Sequence, residues 1–187
     1  MKRKFHAQFL GGCGRANCPH LPGAPFKFMR IVNQSKVPIE HRSSPKGVYE
    51  IFRQHISIAL GGTKDIGPWG GGHPFDVELA RIPPGKRNFP LHSHAAQTEY
   101  YIIVSGRGRL ILDGDKSQGI GPGDHIILPP GEAHQLMNDS EQDLVYFVLA
   151  DHHPADVNTY PHTGKRQVNP EYRCVRLSDA DYYEGEE

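Results

Sequence analysis

Gly85-Lys86-Arg87-Asn88-Phe89-Pro90-Leu91-His92-Ser93-His94-Ala95-Ala96-Gln97-Thr98-Glu99 and Pro129-Pro130-Gly131-Glu132-Ala133-His134 decide the fold of this chain. His92 and His94 lie two apart, so on a strand both side chains leave the same face, roughly 6–7 Å apart along the chain. Two rings so placed can converge on one ion at about 2.0–2.2 Å. Glu99 adds a hard oxygen after a short turn. His134 returns from a later strand aimed by the Pro-x-Gly turn. Three imidazoles and one carboxylate are thus offered to a single metal ion inside a β-barrel. A buried carboxylate without a partner is costly, and grouping three histidines around it has no cheap structural explanation.

The spacing Gly85…His92-x-His94-xxxx-Glu99-xxxxxx-Gly106 resembles the first cupin motif, with six residues before His92 where the family has five. Gly123-xxxxx-Pro129-x-Gly131-xx-His134-xxx-Asn138 resembles the second at every defined position. The resemblance implies an all-β chain, a double-stranded β-helix (the cupin jelly-roll barrel) over about residues 48–150. His92, His94, Glu99 and His134 would hold a metal at its centre. One set of ligands implies one barrel. The tail, with Tyr160-Pro161, Lys165 and an acidic ending at Asp179–Glu187, resembles stand-alone bacterial cupins of the cupin-2 type, some of them called sugar-phosphate isomerases. Cupins host isomerases, dioxygenases, decarboxylases, epimerases and binding proteins, so the fold alone does not choose a reaction.

The 187 residues allow one domain with extensions. With 21 basic and 21 acidic side chains, nothing marks nucleic acid or an anionic membrane as a partner. The 21 Gly and 16 Pro suit short strands joined by many turns. Three cysteines make no disulfide framework. Lys2-Arg3-Lys4 is followed by no apolar run of signal-peptide length, and no stretch reaches membrane-span length. The expected setting is cytoplasmic.

Residues 1–47 are expected to form an irregular N-terminal arm, broken by Gly11-Gly12, Pro19, Pro22 and Pro25. Within it Cys13, Cys18 and His20 lack a fourth ligand and the usual two-residue cysteine spacing, so reduced thiols are expected there. Strands are expected over 48–52, 55–60, 75–82, 99–104, 109–112, 125–128, 134–137 and 144–150, with a hairpin turn at Gly106-Arg107-Gly108 and another turn at Asp113-Gly114-Asp115. Trp69 packs in the core or caps the barrel mouth. Lys86 and Arg87 belong to a solvated loop or to a cationic rim. Residues 151–187 form a C-terminal extension packing on the barrel or a partner. Adjacent His152 and His153 point different ways there and are not assigned to a metal.

Strand parity with Glu99 turns Tyr101 and Ile103 inward, and parity with His134 turns Leu136 inward. Tyr101 is the candidate hydroxyl for orienting substrate or moving a proton, against the plainer reading of a core tyrosine. Tyr146 and Arg81 are weaker candidates. Gln97 and Gln135 flank the ligands, with an outward orientation open to both. Four protein ligands on an octahedral divalent transition ion (Mn, Fe, Ni, Co or Zn) leave two positions for water or substrate. The expected function is a metal-dependent enzyme on a small oxygenated metabolite, isomerase-like, with the metal polarising a carbonyl and Glu99 or Tyr101 moving a proton. The alternatives are an Fe-dependent dioxygenase and a non-catalytic metal-containing cupin that binds a sugar or other small molecule. A homodimer paired through sheet edges is expected. Metal affinity should fall below about pH 6.5, because imidazole ligates only when neutral.

Overall fold

The computed structural model describes residues 29–114, 116–169 and 172–186. Its strands are β1 (Ile39–Ser43), β2 (Glu50–His55), β3 (Asp76–Ile82), β4 (Ser93–His94), β5 (Glu99–Ser105), β6 (Gly108–Leu112) and β7 (Ser117–Ile120). They continue as β8 (His125–Leu128), β9 (His134–Met137), β10 (Leu144–Ala150), β11 (Val157–Tyr160), β12 (Lys165–Val168) and β13 (Arg173–Val175). One layer is a six-stranded sheet in the order β1-β2-β3-β10-β5-β8. Two smaller sheets, β13-β12-β11-β4 and β7-β6-β9, complete a jelly-roll-like β-sandwich.

β10 is the longest apolar run of the chain, and it is central because both its edges are paired, with β3 and with β5. Alternation along these strands sends Ala80, Ile82, Tyr101, Ile103, Leu144 and Tyr146 into one core, where Leu110, Leu128 and Leu136 meet them. The parity expectations for Tyr101, Ile103 and Leu136 therefore hold, with each at most 3% exposed. The beginning and end of the motif region also meet. Gly85 N–H donates to Asn138 O at 2.9 Å, while the buried Asn138 amide donates to Ile82 O and Gln142 O.

Several local expectations fail for identifiable reasons. Residues 55–60 alternate like a strand, yet Ile56–Ala59 is one turn of helix. Buried Ser57 accepts Val77 N–H through Oγ, and its carbonyl takes Gly62 N–H, so the chain curls at the sheet edge. The sheet begins at Ile39, before residue 48, after a 3-10 turn at Gln34–Lys36, because β1 pairs with β2 along its whole length. The turn at Gly106 closes no hairpin: β5 pairs with β10 and β8, and β6 with β7 and β9, so the chain crosses there from one layer to the other. Gly106 has φ +78°, and an added Cβ would stand 2.1 Å from Asp143 O. Gly106→Ala is expected to destabilise by at least about 1–2 kcal/mol from backbone strain alone, a Tm loss of roughly 2–8 °C by calorimetry. The arm residues Cys13, Cys18 and His20 lie outside the described residues.

Candidate metal centre

The ligands sit where the two smaller sheets are stitched together. His92 and His134 exchange backbone hydrogen bonds, at 3.2 and 2.8 Å, which carries the pairing across from β4 to β9. Glu99 opens β5 on the facing sheet and reaches across the interior. Ring nitrogens of His92, His94 and His134, one from each, all lie within 4.8 Å of one another, and all three residues are buried. The sequence-chosen quartet converges.

The tautomers follow from the partners. Each Nδ1 faces an oxygen: Pro90 O for His92 at 2.9 Å, Asp156 Oδ2 for His94 at 2.7 Å and Glu132 O for His134 at 2.9 Å. Carbonyls and carboxylates only accept, so in the neutral imidazoles each Nδ1 carries the proton and each Nε2 keeps its lone pair. His134 Nε2 then stands 3.1 Å from Glu99 Oε2, and His94 Nε2 stands 3.4 Å from Glu99 Oε1 without a hydrogen bond, buried and unpartnered. Lone pairs facing a carboxylate repel unless positive charge lies between them. The donor set therefore fits a divalent transition ion, with outer partners fixing the imidazoles as metal sites require.

Without an ion, protons do part of that work. Burial and the neighbouring His134 push the His92 imidazolium down to a pKa of about 4. Burial would lower His94 too, but Asp156 and then Glu99 hold it up to about 9. Burial would raise Glu99, yet the facing His134 and His94 imidazoles hold it well below the usual carboxylate range. Its Oε2 also accepts from Tyr101 O–H, and its Oε1 from the Gln97 amide at 3.2 Å. Burial, followed by the Glu99 charge, keeps the Tyr101 phenol protonated far above its ordinary range.

Asp156 was not anticipated. β11 pairs with β4, matching Asn158 to His94 and Thr159 to Ser93, and so brings this fully buried carboxylate behind His94. Its other oxygen accepts Ala96 N–H at 2.9 Å and Gln97 N–H at 3.2 Å. In Asp156→Asn the amide oxygen is required by those backbone donors, so the NH₂ faces His94 Nδ1. That turns the ring to the tautomer with its proton in the metal site. Metal affinity is expected to fall about 10–100-fold with the fold kept, by competition against a chromophoric chelator.

A cavity of about 570 Å³ opens over His92, His94 and Glu99, with Arg42, Asn158 and Tyr160 in its walls. The Tyr160 ring lies 6.0 Å from that of His92, inclined by 26°. Tyr101 lines a smaller adjoining cavity and acts on Glu99. Tyr146 is buried beside it, ring centroids 5.3 Å apart. Arg81 pairs with Asp143 over the Phe52 ring, Lys86 donates to Gly47 O and Arg87 to Gln135 Oε1, so none of the three lines the large cavity. Gln97 and Gln135 are buried. Trp69 is exposed, outside the core, and donates to His152 O. His153 is exposed, whereas His152 turns into the cavity wall, with ring nitrogens 2.8 Å from Asp76 Oδ2 and 2.8 Å from Gln97 Oε1.

Residues 78–150 match the family model described as a cupin domain. Auxin-binding protein 1 of Arabidopsis thaliana is 27% identical over 187 residues, covering 89% of this chain and 82% of that protein. Dimethylsulfoniopropionate lyase DddQ of Ruegeria pomeroyi is 32% identical over 80 residues, covering 42% of this chain and 39% of that one. Among solved structures, a sugar phosphate isomerase from a cupin superfamily, of Silicibacter pomeroyi, superposes with a TM-score of 0.64 at 19% identity over 79% of this chain and 92% of its own. That likeness shows the fold alone. No helix among the described residues is long and apolar enough to cross a membrane. With motifs, sandwich and family match in agreement over the same strands, this chain carries a cupin domain and has the cupin fold.

Proposed function

We propose that the protein is a metal-dependent enzyme acting on a small oxygenated metabolite, with isomerase-like proton transfer next to a carbonyl. The observation that carries this reading is the convergence of three Nδ1-anchored imidazoles, with Glu99 facing two of them, under a cavity of about 570 Å³ that His92, His94 and Glu99 line. A divalent transition ion bound there supplies Lewis-acid polarisation of a substrate oxygen. The chain itself supplies an ionised acceptor in Glu99 and, one hydrogen bond away, a protonated phenol in Tyr101. Gln97 and Tyr101 grip the two carboxylate oxygens and fix their direction. The Tyr160 face and the Asn158 amide bound the space a metabolite would fill.

A second reading is metal-dependent binding of a small molecule without turnover. It is favoured by the state of Glu99: with both oxygens already hydrogen-bonded and its pKa well below normal, it is a weak base. The name of auxin-binding protein 1 describes a protein that binds a small molecule. The two readings separate in deuterium oxide. Protein loaded with Mn(II) or Zn(II) under anaerobic conditions is mixed with hydroxy-aldehydes, ketoses and 2-oxo acids and followed by NMR. Metal-dependent deuterium entry beside a carbonyl supports the enzyme. Saturable binding with no exchange supports the binder, and oxygen uptake confined to Fe(II) protein replaces both with a dioxygenase.

A further inference from the structure

The small cavity next to the metal centre, about 80 Å³, has a lining unlike the rest of the core. Asp65, Asp76, Glu78 and Glu99 face it, against the guanidinium of Arg53, which is already paired with Glu40 and Glu78. Glu78 is also met by His55 at 2.7 Å and Asp76 by His152 at 2.8 Å, which leaves Asp65 and one oxygen of Asp76 as the uncompensated acceptors in a space large enough for an ion with water. Asp76 is 6% exposed, and its Oδ1 is buried with no hydrogen-bond partner. The Asp65 carboxylate has no hydrogen-bond partner among the described residues. Its burial raises its pKa, so a cation would relieve it.

Carboxylate oxygens of Asp65 and Asp76 and a ring nitrogen of His152 lie within 4.8 Å of one another. His152 is oriented as the main histidines are, but its Nε2 is hydrogen-bonded to a carboxylate, through a proton that a bound cation would replace. Its Nδ1 is held by Gln97 Oε1 at 2.8 Å, as His94 Nδ1 is held by Asp156, and its Nε2 points at a carboxylate oxygen, Asp76 Oδ2, at 2.8 Å. The surrounding loop is pinned in place: Tyr172 O–H donates to Asp65 O at 3.2 Å, and Trp69 Nε1–H to His152 O at 3.1 Å. We propose that Asp65, Asp76 and His152 form a second divalent-cation site beside the first. Gln97 spans the two, its amide donating to Glu99 and its oxygen accepting from His152. Two carboxylates and one imidazole suit a hard to borderline ion such as Mn(II) or Fe(II). The proposal does not depend on the chemistry assigned to the first centre.

The test counts Mn(II) bound to metal-stripped protein, with free Mn(II) followed by its EPR signal. Wild type is expected to bind two equivalents. Asp65→Asn, whose carboxylate supports no hydrogen bond that folding needs, is expected to bind one, as is Asp76→Asn. The double variant H94A/H134A keeps the other equivalent, so loss of either site is seen separately. Circular dichroism shows that each variant is folded. A single equivalent in wild type that H94A/H134A abolishes, or a count unchanged in Asp65→Asn, overturns the second site. A count unchanged in H94A/H134A overturns the first centre instead.

Discussion

His134→Ala protein, purified without added metal, is expected to hold almost none, with affinity lowered by more than the roughly 10–100-fold typical of losing an outer partner. His134 is 1% exposed and heads β9. Its Nδ1 is fixed by Glu132 O, and its Nε2 is directed to the point that Glu99 also faces. Alanine removes a neutral nitrogen donor and leaves two imidazoles and a carboxylate, with a void that water can enter. The strand itself survives, because the exchange of backbone bonds with His92 does not use the side chain. Elemental analysis and chelator competition measure the loss. Full metal content in a folded His134→Ala protein would remove His134 from the ligand set.

Metal-free protein is expected to be most stable near pH 6.5 and to lose about 3 kcal/mol toward each side from two histidines alone. His94, held up to about 9 in the fold, contributes stability that is complete below the unfolded value of about 6.5. That contribution is lost as pH rises through 9, because the folded state then gives up a proton the unfolded state has already released. His92, pushed down to about 4, does the opposite. Between pH 6.5 and 4 the unfolded chain takes up a proton that the folded chain refuses, so stability falls with pH. Thermal melts of stripped protein from pH 4 to 10 should therefore trace a peak. Loading with metal should flatten its alkaline side, since bound imidazoles are neutral throughout. A monotonic profile in stripped protein would contradict the opposed environments of these neighbours.

The sequence made the four candidate ligand residues legible because each stands at a fixed offset on a strand or just after a turn. Parity then carried Tyr101, Ile103 and Leu136 inward as well. It was silent on Asp156 because the contact with His94 spans 62 positions and depends on β11 pairing with a strand of two residues. The polar stretch after Ala150 looked like a surface extension for the same reason: its one deeply buried carboxylate has no periodic signature. Alternation misled at residues 55–60, where a serine bonded to the backbone outweighed an apolar pattern. The Gly106 turn misled because glycine-rich turns serve hairpins and layer crossings alike. His152 was passed over on an assumption about adjacent side chains, which indeed diverge, but one of them diverges into the cavity.

The match to the family ends at residue 150, and Asp156 comes six positions later. A chain cut at Ala150 would keep all four candidate ligand residues and the strands of the six-stranded sheet, yet His94 would lose the partner that fixes its ring. What looks like an appendage is the clamp of the apparatus. Grafting this barrel into another protein without its tail should give a vessel that folds and holds its ion loosely.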